Sequence, residues 1–451
     1  MRAIDVIERK KAGLENSRDE LQFLVTGYVR GDIPDYQVAA WLMAVCWRGM
    51  TRRETLDLTA AMVDSGSRLD LSNLANPVVD KHSSGGVGDK TTLVVAPLAR
   101  ACGVAVAKMS GRGLGFTGGT LDKLESIPGF RVDLSSSEFV AQLERLGIVV
   151  SGQTPEMVPA DRKLYALRDV TGTVATQPLI ASSIMSKKLA VGAGALILDV
   201  KVGRGAFMDT VDEARELARL MVDIGVGAGL RVAALLTQMD EPLGMAVGNA
   251  LEVEEAIRAL RGDGPKDLVE LSTTIVGEML FLSHVAPSPE AGAGIARRAL
   301  EDGTGLEWLG RLVAAQGGDP RCLDAPEIMG RAPVIQEVRG PAEGWVHRVD
   351  ARAIATAALA LGAGRARKED PIDRRVGVVL RARVGARVSR GEPLAVVHAG
   401  DTVTAEVAAR NVLEAFSVGA EPCGPSAAFL ERLPSLDETL PGGSVLAGQS
   451  L

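Results

Sequence analysis

The opening stretch of the chain sorts its apolar side chains onto helical faces. Ser17 and Glu20 stand at the spacing at which each side chain caps the other's backbone N–H, and Leu21, Leu24, Val25 and Tyr28 follow before Gly31. Asp35 is placed to cap a further helix carrying Val38, Trp41, Leu42 and Val45 at the i, i+3, i+4, i+7 positions. Thr51 with Glu54 opens another, closed by Gly66. These spacings predict a small all-helical domain. After residue 75 the pattern becomes short apolar strands alternating with helices. Candidate strands are Val104–Ala107, Ile148–Val150, Leu196–Val200 and Val232–Leu236. Between the last two, Thr210 and Glu213 form a capping box ahead of a stripe of Leu217, Leu220, Met221 and Ile224. Such alternation predicts an α/β domain with a mostly parallel sheet. Pro155 to Ala190 interrupts it with two more helices, and from about Gly340 short strands such as Val376–Leu380 and Leu394–His398 predict a C-terminal α+β lobe.

Composition narrows the function classes. A formal net charge of −7 gives no basic field for nucleic acid or an acidic membrane, so any anionic substrate has to be held by local lysines and amides. Aromatic content of 3% argues against base-stacking platforms. Cys46, Cys102, Cys322 and Cys423 are dispersed with no C-x-x-C, which fits reduced thiols in a cytoplasmic protein. The N-terminus lacks the pattern of a signal peptide, and no apolar run of about 20 residues predicts a membrane span.

Two glycine-rich loops carry the chemistry. Lys81-His82-Ser83-Ser84-Gly85-Gly86-Val87-Gly88-Asp89-Lys90-Thr91-Thr92 follows the apolar pair Val78-Val79 and precedes the buried-helix pattern Leu93 to Ala99. A strand, a glycine turn and a helix start place free backbone donors where an anion can sit. Lys108-Met109-Ser110-Gly111-Arg112-Gly113-Leu114-Gly115-Phe116-Thr117-Gly118-Gly119-Thr120 repeats that character, with five glycines in nine residues. Glycine admits close approach of a ligand to the backbone, and the flanking hydroxyls and lysine donate to oxyanions. Neither loop has the G-x-x-x-x-G-K-[ST] spacing of a nucleotide P-loop. Together they predict one phosphate gripped from two sides.

With Tyr165-Ala166-Leu167-Arg168-Asp169-Val170-Thr171-Gly172-Thr173-Val174 and Ile180-Ala181-Ser182-Ser183-Ile184-Met185-Ser186-Lys187-Lys188-Leu189-Ala190, these loops closely resemble the thymidine/pyrimidine-nucleoside phosphorylase family, and the resemblance covers nearly the whole chain. It implies a helical domain in two parts (1–66 and 155–192), an α/β phosphate-binding domain in two parts (75–154 and 193–335) and a C-terminal α+β domain (340–440). The implied reaction is phosphorolysis of uridine, thymidine and deoxyuridine to free base and pentose 1-phosphate, with no organic cofactor. Lys81, Ser83, Thr92, Lys108, Ser110 and Thr120 would hold phosphate; Arg168, Ser183 and Lys187 would hold the base, with Leu114, Val174, Ile180 and Phe207 as apolar walls. His82, Arg168 and Lys187 would be catalytic, His82 as a donor to O2 of the departing pyrimidine, and Asp161 would orient Arg168 or Lys187. The helices at Ser17–Arg30 and Pro34–Gly49 are candidate homodimer surfaces.

Lys108 bears on substrate choice, because relatives strict for thymidine carry Met there, and an ammonium near the sugar can bond a 2′-hydroxyl. The resemblance also implies a potassium ion near Gly88, residue 90, Leu243, Ala246 and Glu255. Position 90 is Lys90, where ion-binding relatives have Thr; an ammonium repels a cation, so either the ion is missing or Lys90 points away. Phe116 stands where the family has His. Alternatives are a thymidine-specific phosphorylase and a phosphoribosyltransferase of the anthranilate type. The latter needs Mg²⁺ and acidic residues, and these loops are acid-poor apart from Asp89 and Asp122.

Overall fold

The computed structural model describes residues 1–71, 73–113, 118–365 and 370–433; Leu114 and Phe116 lie outside them. The helical part comprises α1 (Ala3–Lys11), α2 (Arg18–Arg30), α3 (Asp35–Arg48) and α4 (Arg52–Val63). The capping boxes at Ser17/Glu20 and Thr51/Glu54 both form. Asp35 does not cap: Pro34 occupies that position without a side-chain bond, and Asp35 is the first helical residue, where its charge still favours the helix N-terminus. Nor does Gly66 close α4, which ends at Val63; the next segment turns away to bond Ser67 N to Glu156 O (2.9 Å). The apolar stripes meet around Leu21, Leu24, Trp41, Leu42 and Leu58. A polar knot is buried with them. Trp41 Nε1 donates to Asn16 Oδ1 (3.0 Å), Asn16 N donates to Glu54 Oε1 (2.7 Å), and Lys10 pairs with the same carboxylate (2.6 Å).

The α/β part follows with β1 (Val78–Ser83), α5 (Thr91–Ala101), β2 (Ala105–Met109), α6 (Thr120–Leu124), α7 (Ser136–Leu146) and β3 (Ile148–Ser151). The chain then inserts α8 (Pro159–Thr171) and α9 (Gln177–Val191), which pack on the first helices; Tyr28 Oη, for example, donates to Lys163 O (3.4 Å). Next come β4 (Ala195–Val202), α10 (Val211–Gly227), β5 (Arg231–Gln238), the two-residue β6 (Ala246–Val247), and α11 (Asn249–Leu260), α12 (Lys266–Leu282), α13 (Pro289–Glu301) and α14 (Thr304–Ala315). The lobe holds β7 (Val334–Arg339), β8 (Gly344–Val349), α15 (Ala351–Ala358), β9 (Gly377–Leu380), β10 (Arg387–Val388), β11 (Pro393–Ala399), α16 (Thr402–Glu414) and β12 (Phe416–Gly419), and β13 (Phe429–Leu433) ends the described chain.

The main sheet has the order β13-β5-β4-β1-β2-β3. Strands β1 to β5 run parallel, so the sheet is mostly parallel as expected; β13 is antiparallel. After β1 the chain steps to β2 and β3 on one side, then returns to lay β4 on the other. The connections leaving β1 and β4 therefore diverge at the carboxyl ends of those strands, the place where open α/β sheets bind ligands. Two short strands cross the expected domain limits. β6 joins β9 in the four-stranded lobe sheet β6-β9-β11-β7, while β13 leaves the lobe to cover the edge of β5. The limit at 335/340 also cuts β7. One apolar core accordingly runs from Val79 and Leu235 through Leu268 to Val378, Leu394 and Val412. Among the described residues no helix is long and apolar enough to cross a membrane.

Candidate active site

The strands run further at their polar ends than apolar alternation indicates. β1 includes Lys81, His82 and Ser83, and β4 continues through Asp199 to Lys201 and Val202; Ser83 lies opposite Asp199. Both strands are covered on both faces, so every charge on them needs a partner. Lys81 Nζ donates to Thr91 Oγ1 (2.5 Å) and pairs with Asp199 (3.2 Å), which also holds Lys201 (2.9 Å) and accepts from Thr237 Oγ1 (2.6 Å). On the neighbouring side Lys188, from α9, pairs with Asp80 (2.9 Å) and donates to Met109 O (3.1 Å). Lys108 Nζ donates to that carbonyl as well (2.8 Å). Helical and α/β parts thus meet through Lys188 at the ends of β1 and β2.

Asp89 organises the first loop. Its carboxylate accepts from Ser83 Oγ, from Thr91 Oγ1 (2.6 Å) and from Thr91 N (3.2 Å). Burial would raise its pKa, but Lys81, Lys201 and Lys123 hold it well below the usual carboxylate range. The lysines act in the opposite sense on bases. Burial, reinforced by Lys188, Lys108, Lys81 and Lys187, keeps the His82 imidazole neutral well below its ordinary pKa, and its Nε2 is buried with no hydrogen-bond partner among the described residues. Lys108 is also depressed well below the lysine range, by burial and then by Lys188 and Lys81, against the pull of Asp80. Lysines concentrated around an imidazole that resists protonation make a site suited to an anion.

In the second loop Arg112 reaches both oxygens of Glu125 (2.8 and 2.9 Å), and Asp122 accepts from Gly113 N (2.6 Å). Gly119 lets the two ends of this loop touch, since a Cβ there would lie 2.0 Å from Gly113 N. Arg365 and Arg374 of the lobe grip Asp122 (3.0 Å) and Glu125 (2.9 Å). Lys123 joins the loops by donating to Asp89 O (2.7 Å) while pairing with Glu252 (2.7 Å). Ser110 and Thr120 are half-buried at the two feet of the loop, and Thr92 is buried in the first turn of α5.

On the helical side, Asp161 pairs with Lys187 (2.5 Å), which donates to Ser183 Oγ one turn earlier (3.1 Å). The expected orienting carboxylate therefore acts on Lys187. Arg168 is turned elsewhere: it is buried and donates to Thr173 O (3.2 Å), Val174 O (2.6 Å) and Leu179 O (3.1 Å), closing the turn between α8 and α9. Val174 and Ile180 are half-buried, and Phe207 lies against Gly85, with a ring carbon 3.2 Å from where a Cβ would stand.

The residues expected to hold potassium also come together, around a side chain. Lys90 Nζ donates to Leu243 O (2.8 Å), Ala246 O (2.8 Å) and Glu255 Oε2 (2.5 Å), and Lys90 N donates to Gly88 O (2.9 Å). The point that a metal would take is filled by the ammonium, so this set does not fit one.

Sequence reasoning missed Asp80, Asp89, Asp199, Lys188 and Lys201 as parts of the site. A signal existed for two of them: Asp199 and Lys201 sit two apart in an otherwise apolar buried strand, where unpaired charge is prohibitive.

Residues 75–306 match the a/b domain of a glycosyl transferase family, residues 4–66 that family's helical bundle domain, and residues 345–419 a pyrimidine nucleoside phosphorylase C-terminal domain. A pyrimidine-nucleoside phosphorylase of Geobacillus stearothermophilus is 50% identical over 398 residues, covering 88% of this chain and 92% of that protein. One from Bacillus subtilis (strain 168) is 49% identical over 425 residues, covering 94% and 98%. Among solved structures, anthranilate phosphoribosyltransferase from Thermus thermophilus shares the fold, with a TM-score of 0.58 at 21% identity, covering 69% of this chain and 99% of that one. Identity near one half, over nearly full length and across all three domains, shows that this chain belongs to the pyrimidine-nucleoside phosphorylase family of glycosyl transferases.

Proposed function

We propose that the protein catalyses reversible phosphorolysis of pyrimidine nucleosides (uridine, thymidine and deoxyuridine), giving free base and (deoxy)ribose 1-phosphate. The observation that carries this reading is the gathering of Lys81, Lys108 and Lys188 at the ends of β1 and β2, beside the buried, unpartnered Nε2 of His82, with Lys187 next to Lys188 on α9 and bonded to Ser183. Phosphate oxygens would be held by Lys81, Ser83, Thr92, Lys108, Ser110 and Thr120, beneath C1′ of the sugar. As the C1′–N1 bond breaks, phosphate takes the sugar and the electron pair leaves with the base. Charge on the departing pyrimidine is met by Lys187, positioned by Asp161 and Ser183, and by His82 Nε2 as a neutral donor to O2. No covalent nucleophile is required. Arg168 spends three of its five N–H groups on carbonyls, which supports a role in shaping the base pocket with donors to spare.

Incubating uridine or thymidine with and without phosphate tests the proposal. Base release that requires phosphate and yields pentose 1-phosphate is the expected result. Release without phosphate, or dependence on a diphosphorylated pentose, overturns it.

The protein is further proposed to work as a homodimer in the cytoplasm. On α3, Tyr36 is 74% and Trp47 82% exposed, and Trp47 lines a groove with Ile7, Ala40 and Met43, an apolar face of the kind that a second copy covers. Sedimentation should give a dimer that Trp47→Asp converts to monomer; a monomeric parent protein refutes this. The four cysteines are free thiols, which suits a reducing compartment.

A further inference from the structure

Lys90 is 1% exposed, and its cage is complete. An ammonium has three N–H donors, and here each meets one oxygen: Leu243 O and Ala246 O at 2.8 Å and Glu255 Oε2 at 2.5 Å. Glu255 is itself fixed by Met245 N (2.9 Å) and Ala246 N (3.1 Å). The backbone wraps the ammonium so closely that a Cβ on Gly88, whose φ is +68°, would stand 2.7 Å from Leu243 O, and one on Gly244 would stand 3.1 Å from Lys90 Nζ. Two carbonyls and one carboxylate carry a single negative charge, which one univalent cation balances. A second cation would be buried without compensation.

We propose that Lys90 is a covalently tethered monovalent cation, which takes the place of the potassium ion expected between these residues and frees the protein from any need for it. Its effect is positional. The ammonium ties the turn after β1 to the segment 243–246, which β6 joins to the lobe sheet through β9. In that turn the adjoining residues Asp89 and Thr91 hold Ser83 and Lys81, so the tether fixes the loop that faces phosphate. Only this last link rests on the phosphorolysis reading.

The intact enzyme is compared in KCl and in choline chloride at equal ionic strength. The expected result is one Tm, one phosphate affinity and no potassium requirement. A Tm or phosphate affinity that rises with KCl overturns the proposal, whatever the variants do. Lys90→Thr opens the cage and leaves its oxygens short of a cation. In choline chloride it should lose several degrees of Tm and bind phosphate about 5- to 150-fold more weakly, the usual span of coupling between linked sites. KCl should restore both saturably, and thallium should give a bound NMR signal with this variant alone. Lys90→Met fills the cage with an uncharged chain and should not respond to KCl. A folded Lys90→Thr protein with no cation response refutes the idea. The Tm and thallium readings need no turnover, so they stand or fall separately from the proposed reaction.

Discussion

Lys108 combines burial with two neighbouring ammonium groups, and its depressed pKa ties anion binding to pH. A bound oxyanion raises that pKa. Between the free and bound values the complex takes up a proton, so affinity should rise as pH falls through that window and level off below it. Sulfate, which does not titrate in this range, is the suitable probe. Calorimetry in buffers of different ionisation enthalpy should show proton uptake, and Lys108→Met should reduce it, leaving the share taken up by His82. The same variant should lower the rate on uridine relative to thymidine by about 10- to 150-fold, the worth of a hydrogen bond to a charged donor at about 1.5–3 kcal/mol. An unchanged ratio would show that Lys108 does not touch the 2′-hydroxyl. Lys81, His82, Ser183 and Lys187 stand out in the sequence as candidates because each sits in a local motif. Asp80 was not legible, since its partner comes from another element, Lys188 lying 108 positions away; Asp89 lies inside the first loop motif, but only the folded loop shows that Ser83 and Thr91 turn onto it. Lys90 stands out in the sequence as the departure at the expected ion position, but only the fold shows which way its side chain turns.

At the scale of elements, the capping boxes at Ser17, Thr51 and Thr210 all formed because both partners lie within one turn of chain. Asp35 failed as a cap because Pro34 already held the position. Strand ends were the harder part: β1 continues through Lys81 to Ser83 by parallel pairing with β4, which apolar alternation does not register. Glu54 serves at two levels. It completes the box at Thr51 and is the buried counterion of Lys10. Glu54→Ala should therefore cost about 3–5 kcal/mol, the penalty for stranding a buried charge. Thr51→Ala should cost only about 1 kcal/mol, the worth of a cap. Urea midpoints measure the difference, and equal losses would mean that the ion pair contributes nothing.

The whole molecule was legible as three textures, helical, α/β and α+β, but not as an interlocked body. Nothing in local pattern marks Ala246–Val247 as a strand of the lobe or Phe429–Leu433 as a strand of the main sheet, because both pairings span distant chain. β13 is also clamped by charge: Arg432 reaches Glu278 (2.6 and 3.0 Å), and Arg215 reaches Glu431 (2.7 Å). Ending the chain before Phe429 should speed hydrogen exchange along β5 as well as nearer the cut. Unchanged protection of Arg231–Gln238 would show that β13 only rests on that edge.

The late arrival of β13 also sets a hazard during synthesis. A ribosome making this protein at about 5–20 residues per second needs on the order of 10–40 s to travel from Gln238 to Phe429. For that interval the outer backbone groups of β5 have no native partner, and an open strand edge is a template for pairing with another nascent chain. Protection of that edge, by slowed pairing or by a chaperone, is a requirement that the finished structure no longer displays.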